Sequence, residues 1–123
     1  MCERQRILIV EDEHMIAELL AEILEAAGWQ VIGPVGHLTE ALDIARNGTF
    51  DAAVLDVNLG GQTVYPVAEM LDARNVPFAF VTGCSAEMLP RQYRERPRLG
   101  KPFKIEVLVG TVARLIPTMA EAF

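Results

Sequence analysis

The stretch Ile7-Leu8-Ile9-Val10-Glu11-Asp12-Glu13 decides the fold. Four consecutive apolar residues, with no polar alternation, read as a strand buried on both faces, and strands of that kind belong to parallel sheets. The run stops abruptly at the acidic residues. Beyond them Ile16, Leu19, Leu20, Ile23, Leu24 and Ala27 recur at helical spacing and make one apolar face. Gly28 stands where a helix of that length closes. A buried strand followed by an amphipathic helix is the first unit of an alternating α/β chain.

Working outward, the alternation continues. Gln30 to Ile32 reads as a second strand, stopped by Gly33-Pro34. Leu38, Ala41, Leu42 and Ala45 give a second helix its face, which ends at Asn47-Gly48. Ala52 to Leu55 is a third buried strand and delivers Asp56 at its end. Gly60-Gly61 reads as a loop. Pro66 suits the first turn of a third helix, with Val64, Val67, Ala68 and Leu71 facing inward. Pro77 to Val81 is a fourth strand, ending in Thr82-Gly83. Arg98 to Gly100 reads as a short fifth strand before Lys101-Pro102. Ile105, Leu108, Val109, Val112, Leu115 and Ile116 mark a final helix, which Pro117 should end or kink. Short apolar strands separated by amphipathic helices, with right-handed crossovers, predict a three-layer, doubly wound parallel sheet over one domain, 1–123.

Residues 85–98 break the pattern. Pro90 and Pro97 bracket a polar run in which Tyr93 is the only large apolar side chain, so no stripe anchors a helix on the sheet. The spacing predicts a mobile loop with at most one helical turn. Its arginines 91, 94 and 96 are expected near the carboxyl ends of the strands, where added negative charge would order them.

Composition excludes several classes. The 123 residues are 51% hydrophobic, enough for a core. The formal charge of −6 disfavours binding to nucleic-acid backbones, which needs clustered Lys and Arg. No apolar run reaches a membrane span and no signal segment is evident, so no membrane association is expected. Cys2 and Cys84 are too few for a disulfide framework and suggest a reducing, cytoplasmic setting.

In open α/β sheets the functional site lies beyond the carboxyl ends of the strands. Those ends carry Glu11 and Asp12, then Asp56, Thr82 and Lys101. Three clustered carboxylates need a compensating cation. Mg²⁺ accepts a few carboxylate or carbonyl oxygens and takes its remaining ligands from water and phosphate. A carboxylate can also act as a nucleophile toward phosphorus, and phosphoryl transfer asks mainly for positioning and charge neutralisation. Taken singly, each residue has a plainer explanation. The acids after the first strand suit a helix N-terminus, and Glu13 fits that description best. An Asp after an apolar strand caps loops, a Thr favours strands, and a Lys before a proline is commonly solvated. His14 and His37 are isolated and read as surface or helix-entry residues. The joint pattern carries the specificity.

That joint pattern resembles the receiver domains of bacterial response regulators. The matching stretches are Ile7-Leu8-Ile9-Val10-Glu11-Asp12, Val54-Leu55-Asp56-Val57-Asn58, Phe80-Val81-Thr82-Gly83 and Lys101-Pro102-Phe103, in order over the whole chain. The resemblance implies a flavodoxin-like sheet of strand order 2-1-3-4-5. It implies Asp56 as phosphoacceptor and Mg²⁺ held by Glu11, Asp12, Asp56 and the backbone carbonyl of Asn58. It further implies Thr82 as the hydroxyl on the phosphoryl group, Lys101 as its ammonium partner, and a cis Lys101–Pro102 bond. The implied donor is a histidine kinase, with Glu13, His14, Ala17 and Lys104 as contact residues and an unknown protein downstream. A monomer or weak dimer is expected. Three departures stand out. Arg98 occupies the position, three before the lysine, where receivers often carry an aromatic switch; Gly83 follows Thr82 in place of the usual Ala; and the Thr82–Lys101 stretch is short for a helix and a strand. The run Phe78-Ala79-Phe80-Val81-Thr82-Gly83 resembles a single-domain subset known by a Phe-Ala-Thr-Gly motif, which implies a kinase of the HWE or a related type.

Three competing functions each lack a residue or pattern they require. An aspartyl-nucleophile phosphatase needs an acid–base Asp two residues after its nucleophile, and that position is Asn58. A degenerate, binding-only receiver would not need Asp12, Asp56, Thr82 and Lys101 together. A flavodoxin-like nucleotide carrier would need a phosphate loop after the first strand, and acids stand there instead. The chain is therefore expected to signal rather than to turn over substrate.

Overall fold

The structure is a computed structural model, which describes residues 4–83 and 86–116. Five strands form one parallel sheet: β1 (Arg6–Val10), β2 (Gln30–Val35), β3 (Ala52–Asp56), β6 (Phe78–Thr82) and β7 (Arg98–Gly100). Their spatial order is β2-β1-β3-β6-β7. This is the expected 2-1-3-4-5 order, because β4 (Asn58–Leu59) and β5 (Gln62–Thr63) form a separate antiparallel hairpin. The hairpin replaces the plain loop expected at Gly60-Gly61.

Strand residues alternate between two cores, as a two-residue period requires. Leu8, Val10, Ala53, Leu55, Phe78 and Phe80 face α2 (Leu38–Asn47) and α3 (Tyr65–Ala73), which contribute Ala41, Ala45, Val67, Ala68 and Leu71. Ile7, Ile9, Ala52, Val54, Ala79, Val81 and Leu99 face α1 (His14–Ala26) and α4 (Ile105–Leu115), through Leu20, Leu24, Leu108 and Val112. The unbroken apolar runs of β1, β3 and β6 are explained: both of their faces are covered.

Four sequence expectations are corrected. Strand β2 does not stop at Gly33-Pro34; it runs to Val35 through a register shift opposite Leu8 and Val10. Gly33 sits at φ +97, and a Cβ there would come within 2.9 Å of the Val35 nitrogen and 3.0 Å of the Ile9 carbonyl. Only glycine fits that bulge. The Gly33–Pro34 and Lys101–Pro102 bonds are both cis, the second as expected. Leu19 and Ile105, assigned to inward helix faces, are 44% and 56% exposed. Ala17, assigned to partner contact, is buried, because its Cβ lies on the same turn-spaced row as Leu20 and Leu24. Pro117, Cys2 and Cys84 lie outside the described residues.

The fourth correction concerns the stretch after β6. Among the described residues it holds, as expected, no α-helix, only two 3₁₀ turns at Ala86–Met88 and Arg91–Tyr93. It is not a loose loop, however. Leu89 and Tyr93 are buried in the core. The Tyr93 ring stacks on Tyr65 at 5.6 Å and meets Phe78 and Phe80 edge-on. Arg96 does not stand at the carboxyl ends of the strands. Arg94 donates to the Glu87 and Leu89 carbonyls. Arg96 pairs with Asp72 at 2.9 Å and lies over the Phe78 ring, beside Asn75–Pro77 and Asp51, which precede β6 and β3 at the amino end of the sheet. One aromatic anchor thus seats the segment on the core without an amphipathic stripe.

Candidate functional site

Three neighbouring strands set out the site. β1 ends at Val10 and hands on Glu11 and Asp12; β3 ends at Asp56; β6 ends at Thr82. The fourth contributor follows β7, where the Lys101 N–H donates to the Thr82 carbonyl at 3.1 Å. The carboxylates of Glu11, Asp12 and Asp56 each offer an oxygen within 4.8 Å of the others. Glu11, Asp56 and Thr82 are buried and Asp12 is exposed, so the cluster opens to solvent on the Asp12 side.

The Lys101 ammonium lies 2.9 Å from Glu11 Oε1 and 3.5 Å from Asp56 Oδ2. The lysine expected to pair with Asp56 is thus nearer to Glu11, whose side chain is completely buried. Burial pushes the Asp56 carboxyl up, and the hydrogen bond and charge of Glu11 push it further, to about 7. Lys101 and the Asn58 N–H, which approaches Asp56 Oδ1 at 3.4 Å, pull the other way without prevailing. Burial pulls Lys101 down, but the hydrogen bond to Glu11 and the charges of Asp56 and Glu11 outweigh it and hold the ammonium above its ordinary value. One lysine facing two buried carboxylates leaves the site short of positive charge. That shortage, with an all-oxygen donor set, fits a hard divalent cation such as Mg²⁺.

Loop geometry fixes the remaining groups. The Glu13 N–H donates to Glu11 Oε2 at 3.1 Å, so Glu13 orients a neighbour besides leading into α1. The Gly60 N–H donates to Asp12 Oδ2 at 2.9 Å. The Asn58 side chain accepts the Gly61 N–H at 3.0 Å. Sequence reasoning missed this hairpin. The signal was Gly60-Gly61, two glycines where a two-residue hairpin turn needs positive φ at both positions, here +58 and +91. All the site residues read from the sequence therefore stand around one end of the sheet, with Thr82 next to the Val81 that pairs with Asp56.

A doubly wound five-stranded sheet with an acidic triad and a lysine beyond its carboxyl edge is the architecture of a signalling receiver. Residues 7–113 match the response regulator receiver domain, and the chain belongs to that family. It is similar to SdrG from Sphingomonas melonis Fr1, with TM-score 0.81 and 43% identity over 94% of this chain and 98% of that one. It is also similar to a non-phosphorylated HemR receiver domain from Leptospira biflexa, with TM-score 0.80 and 29% identity over 94% and 97%. Among curated proteins it is 27% identical to the transcriptional regulatory protein PdtaR of Mycobacterium tuberculosis, over 95% of this chain and 59% of that protein. It is 33% identical to the DNA-binding response regulator MtrA of Mycobacterium leprae, over 91% and 52%. The chain thus spans little more than half the length of these curated relatives. Among the described residues no helix is long and apolar enough to cross a membrane.

Proposed function

We propose that this receiver domain is a phosphoacceptor and that Asp56 takes the phosphoryl group from a phosphohistidine of a histidine kinase. The observation that carries the reading is the buried Asp56 between Glu11 and the Lys101 ammonium. An Asp56 oxygen attacks phosphorus as the P–N bond breaks, the nitrogen keeps the bonding pair on the donor imidazole, and an acyl phosphate forms. Asp56 must be ionised to attack, and Lys101 favours that form. The Thr82 hydroxyl is assigned to a phosphoryl oxygen. Glu11, Asp12, Asp56 and the Asn58 carbonyl would hold Mg²⁺, which when bound neutralises charge on the carboxylates and the incoming group. SdrG, the 43% identical relative, is also described in a BeF3-activated conformation, which this fold matches at 42% identity and TM-score 0.76. That supports a comparable activation here.

The donor must touch the rim of the site. Glu13, His14 and Lys104 are exposed there, and so is Met15, at 80%; Met15 replaces the buried Ala17 among the contacts. The Phe78–Gly83 run is what points to a kinase of the HWE type. The phosphorylated domain is read as signalling through protein contacts or as a phosphate shuttle or sink, in the cytoplasm. Incubation with Mg²⁺ and acetyl phosphate should add the mass of one phosphoryl group to the wild type and none to Asp56→Asn. Equal labelling of both proteins would refute the assignment.

A further inference from the structure

We propose that the β4–β5 hairpin is a clasp for the metal site, with Gly60 as a positioning residue that acts through Asp12. The inference rests on the reading of Glu11, Asp12 and Asp56 as a cation site. It rests equally on geometry outside those three residues. Asp12 is exposed, so packing alone does not fix its carboxylate. Its Oδ2 accepts the Gly60 N–H at 2.9 Å, across 48 residues of chain. That bond holds one carboxylate oxygen and leaves the other for a ligand role. Asn58, whose carbonyl is a proposed ligand, is tied to the same turn by its side chain, which accepts the Gly61 N–H.

The turn is itself well determined. Leu59 pairs with Gln62 and Asn58 with Thr63. The Leu59 side chain is buried in the core while Gly60 and Gly61 project from the surface. Gly60 at +58 and Gly61 at +91 satisfy a type I′ turn, which aims the Gly60 N–H at Asp12. A buried leucine therefore seats the hairpin, the turn aims an N–H, and the N–H orients a carboxylate. Groups that orient metal ligands from behind typically change metal affinity by about 10- to 100-fold when removed.

The backbone conformation supplies a matched pair of variants. A Cβ at Gly60 meets nothing within 4 Å, so Gly60→Asn keeps the N–H and tolerates the left-handed conformation. Gly60→Pro removes the N–H and rejects positive φ. Mg²⁺ affinity is measured by calorimetry on the full chain, without phosphodonor. We expect Gly60→Asn to bind within about twofold of wild type and Gly60→Pro to bind at least about tenfold more weakly. A second measurement separates positioning from general damage: thermal midpoints in EDTA for wild type, Asp12→Ala, Gly60→Pro and the double variant. If Gly60 acts through Asp12, the proline lowers the midpoint much less in the Asp12→Ala background. Equal Mg²⁺ affinity of the two Gly60 variants, or additive midpoints, would overturn the clasp. Failure of the wild type itself to bind Mg²⁺ would instead overturn the metal-site reading beneath it.

Discussion

Glu11 is held by two contacts of different kinds: Lys101 faces one oxygen and the Glu13 N–H the other. Replacing Lys101 by methionine would leave a wholly buried carboxylate without its cation. Breaking a buried ion pair from one side costs about 3–5 kcal/mol, so Lys101→Met should lower stability in EDTA by that order, as read by urea unfolding. A loss under about 1 kcal/mol would contradict the reading of Lys101 as the cation that stabilises this buried carboxylate. Asp56 yields a pH prediction with a definite sign. Its folded value is raised from 3.8 to about 7, so between those values the folded state holds a proton that the unfolded state has lost. Stability must then fall as pH rises from about 4 to about 7. In EDTA, Asp56→Asn should remove that fall, and its midpoint should exceed that of wild type most at pH 8. Parallel pH profiles for the two proteins would contradict the raised value. Glu11, Asp12, Asp56 and Thr82 were legible in the sequence because they stand at the ends of apolar strands, and Lys101 because it follows a short strand and precedes Pro102. What was not legible was which acid Lys101 would prefer, since that depends on side-chain reach across strand ends and not on spacing.

Among the elements, the 3₁₀ segment after β6 shows how far periodicity carries. Two prolines and a missing apolar stripe did exclude a helix. They could not say that one ring, Tyr93, would hold the segment down by filling a space between Tyr65, Phe78 and Phe80. Tyr93→Ala should cost about 3–5 kcal/mol, the usual range for a buried aromatic. Tyr93→Phe is the sharper test. The Tyr93 hydroxyl is buried with no hydrogen-bond partner among the described residues, so its removal should leave stability unchanged or raise it. A loss above 1 kcal/mol in chemical unfolding would show that the hydroxyl is bonded in solution. The hairpin was missed for a related reason. Asn58 and Leu59 look like the end of a strand, and only the paired glycines, read as a positive-φ turn, mark the reversal.

For the whole molecule, a parallel sheet covered on both faces and a site at its carboxyl edge follow from alternation and handedness, whereas the strand order was legible only through the family resemblance. The same physics explains the electrostatics. A sheet covered on both faces leaves only its edges for polar chemistry, and this edge gathers three carboxylates against one ammonium. The account's central claim is that this arrangement makes Asp56 the site of phosphorylation. The most direct measurement is chemical mapping: treat the Mg²⁺- and acetyl-phosphate-incubated protein with borohydride, which reduces an acyl phosphate to an alcohol, and sequence the peptides by mass spectrometry. The account predicts homoserine at position 56 and at no other aspartate, with none formed when EDTA replaces Mg²⁺. Reduction at Asp12 instead, or undiminished reduction at Asp56 in EDTA, would contradict it.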